Sequence, residues 1–349
     1  MLPSGKYTIK YNQDMAIIRT RTQWLLLIIF LTLVFTFPTF GSPAHVALAN
    51  TIGIAVIAVL GLNLLTGLTG QISLGQAAFM AVGAYASVTL NMNAGLPFIP
   101  ALFCGGLISA AVGLFFGLPS LRIKGFYMAM ASLAAHFIII WTIKHTPDLT
   151  GGVDGMAVDA PSFLGINFDT EKSFFYITMF AVLILTVVAK NIARGRIGRA
   201  LIAIRDNDIA AEAMGISLYR YKLLAFMLSA FYGGIAGGLM AYRIQYITPD
   251  NFQLMDSIWY LGMMIVGGMG SVSGALMGVT FLKTVEYMIN QNMYRITDAF
   301  SSISIQASAA LGVVVFSVII IAFVLLEPRG MAHRWERLKT SYRLWPFSH

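Results

Sequence analysis

Long apolar runs separated by short polar breaks cover almost the whole chain. A bilayer crossing needs roughly 20 apolar residues, with latitude for tilt. The runs that meet or approach that length are Trp24–Phe40, Val46–Thr66, Ser73–Met92, Phe98–Leu118, Phe126–Ile143 and Phe174–Ala189. After a polar interval come Leu223–Tyr242, Ile258–Val266, Ala275–Ile289 and Ile305–Leu326. The pattern predicts an all-α polytopic membrane protein with about ten transmembrane helices. The eighth run is the weakest, because Gly262, Gly267, Gly268, Gly270 and Gly274 interrupt it. The chain then divides into a segment 1–23, a transmembrane domain 24–326 and a basic tail 327–349.

One polar interval differs from the rest. Residues 190–222 carry Lys190, Arg194, Arg196, Arg199, Arg205, Arg220 and Lys222 against only Asp206, Asp208 and Glu212. Arg199–Arg205 can form a short helix, and Asp206, Asn207 and Asp208 supply turn and N-cap side chains for a second, Ile209–Met214. Gly215 follows as the expected left-handed C-terminal residue, and Ser217 is placed to cap the next span. A helix of barely two turns does not stand alone in water. Docking on another protein, or lying on lipid headgroups, would supply the missing burial.

Composition and charge fix the class and the orientation. The chain is 58% hydrophobic and 11% charged, with mean hydropathy +0.76, whereas soluble domains average about 25% charged residues. The formal charge of +8 does not mark a nucleic-acid partner, because the basic residues flank the apolar runs as cytoplasmic loops should. With the N-terminus inside, eighteen Lys and Arg fall in cytoplasmic segments, including Lys6, Lys10, Arg19, Arg21, Arg122 and Lys124. Only four (Lys144, Lys172, Arg243 and Arg295) fall outside. An even number of crossings places both termini in the cytoplasm. The loop 144–172, with Asp148, Asp154, Asp159, Asp169 and Glu171, is then external and suited to an external partner. The first apolar run lacks a small-residue cleavage pattern and reads as a retained helix. A single cysteine, Cys104, excludes an internal disulfide and any cysteine-based metal cluster.

Small residues recur at four-residue spacing in Gly113/Gly117, Gly233/Gly237, Gly234/Gly238 and Gly270/Gly274/Gly278, a spacing that lets helix backbones approach closely. The pattern G-x-x-G-x-x-S occurs twice, at Gly67, Gly70, Ser73 and at Gly267, Gly270, Ser273. Broken helices in matching positions can mark a substrate path. Asn63, Gln71, Ser73 and Gln76 add neutral hydrogen-bonding groups, which suit either a path for a zwitterion or polar glue between helices. Lys283 and Glu286, one turn apart within a span, can neutralise each other as a structural pair. His136 stands alone on an apolar helix and reads as a satisfied packing residue. The five histidines (His45, His136, His145, His333, His349) are scattered. No catalytic set, metal site or proton relay is therefore expected. No G-x-x-x-x-G-K-[ST] phosphate loop is present, so ATP chemistry by that route is not this chain's own.

Several ordered segments carry a family resemblance. The string from Gly198 to Leu239, with Asn63–Tyr85, Leu121–Leu133, Leu149–Met156, Val266–Gly278 and Leu326–Gly330, resembles LIV-type (branched-chain amino acid) ABC transporter permeases. Of the family's two permeases it most resembles the second. The resemblance implies a homologous permease partner, two cytoplasmic ATPases that hydrolyse ATP, a periplasmic substrate-binding protein and a place in the bacterial inner membrane. No cofactor is expected on this chain. It also implies that the basic segment couples to an ATPase through Arg199, Arg205, Asp206, Asn207, Asp208, Glu212, Ala213 and Gly215. The Glu-Ala-…-Gly signature falls on Glu212, Ala213 and Gly215, while the later Leu-Pro of other importers is absent. The ligand class stays open between branched-chain or other amino acids, urea and amides. A secondary transporter is the alternative outside the family.

Overall fold

A computed structural model describes residues 21–118, 125–163, 166–299, 305–327 and 329–344. The charge assignments to Lys6, Lys10, Arg19, Arg122 and Lys124, and Pro328 of the closing motif, lie outside those residues. The helices are α1 Arg21–Phe40, α2 Pro43–Leu62, α3 Gln76–Ala94, α4 Phe98–Gly117, α5 Phe126–Lys144, α6 Pro147–Thr150 and α7 Glu171–Arg194. They continue with α8 Arg196–Asp206, α9 Asp208–Ala213, α10 Leu218–Ile244, α11 Leu254–Gly267, α12 Val272–Ala299, α13 Ile305–Leu326 and α14 Gly330–Leu344. Among the described residues, four two-residue strands form two antiparallel pairs: β1 Met156–Ala157 with β4 Tyr246–Ile247, and β2 Ser162–Phe163 with β3 Ile166–Asn167.

Among the described residues, five helices are long and apolar enough to cross a bilayer: Pro43–Gly67, Phe98–Gly117, Tyr127–Lys144, Glu171–Arg194 and Leu218–Ile244. Two bent pairs raise the number to seven, Pro249–Gly267 with Val272–Asn292 at 117° and Val313–Leu326 with Gly330–Ser341 at 47°. The sequence pattern suggested about ten. The difference falls partly on Trp24–Phe40, a shorter apolar helix. It falls also on α3, whose Gln76, Ser87, Thr89, Asn91 and Asn93 dilute its hydropathy. The weak eighth run is α11, a short helix that ends at Gly267 and bends sharply into α12.

Helix α10 is the hub, packed along α2, α3 and α4. Its small residues permit this. A Cβ on Gly238 would lie 2.5 Å from Leu102 Cδ1, and one on Gly234 2.6 Å from Ser109 Cβ. Ser109 Oγ donates 2.8 Å to both Phe79 O and Ala230 O, bridging α3 and α10. The four-residue glycine spacings thus do pack helices, and without side chains there the backbones approach closely. Large apolar residues instead face outward, among them Phe30, Phe103, Phe115, Trp141 and Ile321. In water that arrangement would be costly; it suits a hydrocarbon surround.

Contacts sort the loops onto two ends of the bundle. At one end, Lys144 pairs with Asp250 at 2.9 Å, Thr89 Oγ1 donates to Leu149 O, and Arg243 joins Glu171. The loop 144–172 and the connection 245–253 lie there, stitched by β1–β4. At the other end, Gly67, Arg205 and Gly270 meet, and a Cβ on Gly330 would touch Gly268.

Candidate functional site

The basic segment folds into α8 and α9. Helix α8 buries Gly198, Ala200, Leu201 and Ile204 against the bundle and turns Arg199, Arg205 and Asp206 outward. It stops at Asn207, whose backbone is extended and whose Oδ1 accepts Ala210 N at 3.0 Å, capping α9. Asp208 in the first turn of α9 sits at the positive helix end. Gly215 has φ +82, its N–H bonds Glu212 O at 2.9 Å, and Ile216 N bonds Ala211 O at 3.0 Å. That pair of bonds is a Schellman C-cap. Of α9 only Ala211 is buried; Glu212 and Ala213 are exposed, Ile209 is 74% exposed and Met214 83%. Ser217 occupies the N-cap position of α10 but makes no side-chain capping bond, a correction to its expected role.

Arg199 and Arg205 do not share one outward surface. Six residues apart on a helix, they point about 120° away from each other. Arg199 Nη1 folds back to Arg194 O at 3.2 Å. Arg205 binds Asp206 through Nε and Nη2 at 3.1 Å, and its Nη1 donates to Gly67 O at 3.1 Å. Gly67 closes a π-helical turn, Asn63–Gly67, that continues α2. Carbonyls of a last helical turn lack intrahelical donors, and a guanidinium both fills that vacancy and meets the negative helix end.

The second break joins the same point. Gly270, at φ +80, donates its N–H to Asn63 Oδ1 at 2.8 Å. A Cβ on Gly270 would stand 3.1 Å from Gly67 O and 3.3 Å from Arg205 Nη1. The two G-x-x-G-x-x-S segments, remote in sequence, therefore cross beneath Arg205.

The remaining expected path residues separate into two groups. Asn63, Gly267 and Gly270 belong to the crossing; Gly267 packs closely on Gly274 and Gly278. Ser273 Oγ lies 3.0 Å from Ser271 Oγ at the start of α12. Ser73 and Gln76 lie fully buried inside the bundle. Gln76 Nε2 donates to Ala58 O at 2.9 Å and its Oε1 accepts from Ser229 Oγ at 3.1 Å, so it joins three helices as glue. Gln71 lines a cavity of about 350 Å³ with Arg205, Asp208 and Lys222, and its Oε1 has no partner among the described residues.

Lys283 and Glu286 form the expected pair at 2.8 Å. His136 is buried, yet its Nδ1 has no partner among the described residues, so it is not the satisfied histidine anticipated. Sequence reasoning missed the tie of Arg243 to Glu171, Thr51 and Ala47. It also missed Asp256, whose signal was the reciprocal capping box of Gln253 and Asp256 opening α11.

Broken apolar helices converge on an exposed, capped two-helix segment, an arrangement that suits a polytopic permease. The chain belongs to the family described as the branched-chain amino acid transport system permease component, which matches residues 45–325. It is 32% identical to the high-affinity branched-chain amino acid transport system permease protein LivM of Salmonella typhimurium, over 75% of this chain and 68% of that one. A probable branched-chain amino acid transport permease protein LivH of Methanocaldococcus jannaschii is 27% identical, over 81% and 90% of the two chains. The L-arabinose transport system permease protein AraH of Escherichia coli is 25% identical, over 66% and 74%. No solved structure matches the chain.

Proposed function

We propose that this chain is one permease subunit of an ATP-driven importer for branched-chain or related amino acids. It pairs with a homologous permease, receives ligand from a periplasmic binding protein and is driven by two cytoplasmic ATPases that carry the ATP chemistry. It crosses the bacterial inner membrane about ten times with both termini in the cytoplasm, a number reached when α1, α3, α11, α12 and α13 each count as a crossing beside the five long apolar helices. The observation that carries the reading is α9: six residues, capped at both ends, displaying Ile209 and Met214 to solvent. Exposed apolar side chains on so short a helix call for a protein partner. Arg205 then links that docking site to the first helix break, which Asn63 joins to the second, so a moving ATPase would pull on the membrane helices.

The test is a reconstituted complex in which uptake and binding-protein-stimulated ATP hydrolysis are measured side by side. Glu212→Lys and Gly215→Val should insert and fold, yet lose ATPase association or uncouple hydrolysis from uptake. Wild-type values for both quantities in both variants reject the assignment. Orientation is checked by cysteine labelling in intact cells: positions in 148–169 should react from outside and positions near Arg205 should not.

A further inference from the structure

Not all charges in the half of the bundle near loop 144–172 belong to its frame. Arg243 does: its Nε donates to both Glu171 carboxylate oxygens at 3.2 Å, Nη1 to Thr51 Oγ1 at 2.8 Å and Nη2 to Ala47 O at 3.0 Å. These bonds lock α10 to α7 and α2. Beside them lies a cavity of about 150 Å³, lined by Thr51, Ala77, Met80, Asp256, Tyr260 and Lys283 among others. Cavities of about that size accept a benzene ring, which is the bulk of a small branched side chain.

Two helices begin at this cavity. Ala77 N, in the first turn of α3, donates to Ser257 Oγ, in the first turn of α11, at 2.9 Å. Gln76 reaches Ala58 O, partway along α2, so the start of α3 lies well below the end of the bundle. Helix starts within a membrane protein bring positive backbone ends to a ligand. Asp256 sits in the first turn of α11, its Oδ2 accepting Gln253 N at 3.0 Å. Lys283 is drawn off by Glu286, the more exposed partner at 42% against 20%.

We infer that this cavity is a relay site for a zwitterionic amino acid on its way through the permease. Lys283 receives the ligand carboxylate, Asp256 the ammonium, and Met80, Ile54 and Ala55 the aliphatic side chain. Arg243 is offset by Glu171 and Lys283 by Glu286, leaving the Asp256 carboxylate as the excess charge. A lone anion is therefore repelled by Asp256, a lone cation brings no carboxylate for Lys283, and a neutral sugar satisfies neither. Glu286 competes with the ligand for Lys283, which keeps the site weak enough to release what it holds. A transport path needs that property. The inference rests on the importer reading and adds to it the place where the ligand pauses.

The experiment uses the full complex in proteoliposomes with binding protein and radiolabelled leucine. Asp256→Asn and Lys283→Met should each cut leucine carried per ATP hydrolysed at least tenfold. The half-saturating concentration of leucine-loaded binding protein should not move, because docking precedes the relay. Asp256→Glu should recover most of the loss. Unchanged leucine per ATP in both variants overturns the site. So does loss of assembly that Asp256→Glu does not repair, which would mark a tie between helices. If the unmodified complex carries no amino acid, the importer reading falls before any variant is compared, and the relay falls with it.

Discussion

Gly67–Ser73 and Gly267–Ser273 share one spacing, and in both the second glycine is left-handed, at φ +71 and φ +80. They leave their breaks differently. After Gly270 the chain is helical again at Val272, with Ser271 Oγ accepting Gly274 N at 3.1 Å to cap the new helix. After Gly70 it runs without helix to Gln76, held by Thr66 Oγ1 on Gln71 O at 2.9 Å. A glycine pair decides where a helix stops; the residues after it decide how soon another begins. The difference has a use. The second break is a tight corner between two packed helices, whereas the first leaves Gly67 O open for Arg205.

The largest expected effect comes from filling the crossing. A Cβ on Gly67 would lie 2.6 Å from Gly270 N and closer still to the Asn63 side chain. Backbone cannot yield as a flexible side chain does, and overpacking costs typically about 1–3 kcal/mol and sometimes more. Gly67→Val should therefore abolish accumulation of folded permease in the membrane. Gly262→Ala, on the same α11 as the second break, meets only Ile320 Cδ1 at 3.6 Å and should leave yield and melting temperature as they are. Equal yields of the two variants would show that the breaks do not rely on close backbone approach.

Arg205 should have an intermediate effect, and one that separates the breaks. Its side chain is 39% exposed and already paired with Asp206, so its bond to Gly67 O is worth only about 1 kcal/mol after solvent screening. Arg205→Ala should barely change stability but lower ligand carried per ATP about tenfold. Asn63→Ala, which frees Gly270 N instead, should cost stability as well, because it leaves a partly buried amide unpaired. If Arg205→Ala transports normally, the segment and the first break are not mechanically linked.

Legibility followed the range of each interaction. Asn207 and Gly215 were readable because a cap acts within a few residues of itself. The apolar runs were readable because membrane helices need length and little else. Their number was not, since α3 buries polar residues against α10 and α11, at 14 residues, is shorter than the roughly 20 a crossing needs. Asn63 and Gly270 are 207 residues apart, and nothing local in either segment names the other. Asp256 was not legible, because its capping box uses Gln at the N-cap where Ser or Thr is the usual signal. Arg205 was legible only as a charged docking residue; that its Nη1 also reaches back to an unfilled helix-end carbonyl, Gly67 O, was not.

The smallest effect belongs to the segment's own corner. Gly215 holds φ +82, yet a Cβ there would meet nothing within 4 Å. Gly215→Ala therefore carries only the backbone cost of a left-handed residue, on the order of 1 kcal/mol. Asn tolerates that conformation better than Ala does, so Gly215→Asn should recover part of the loss. Because α9 has little burial of its own, the strain should appear as fraying of α9 and a few-fold weaker ATPase association. Global melting should stay unchanged. Hydrogen exchange over residues 208–216, with ATPase co-purification, reads both. If Ala, Asn and Gly behave alike, the corner is not held in the left-handed form when the ATPase is bound. The docked shape of α9 would then differ from its shape in the free chain, and the caps at Asn207 and Gly215 would describe only the undocked segment.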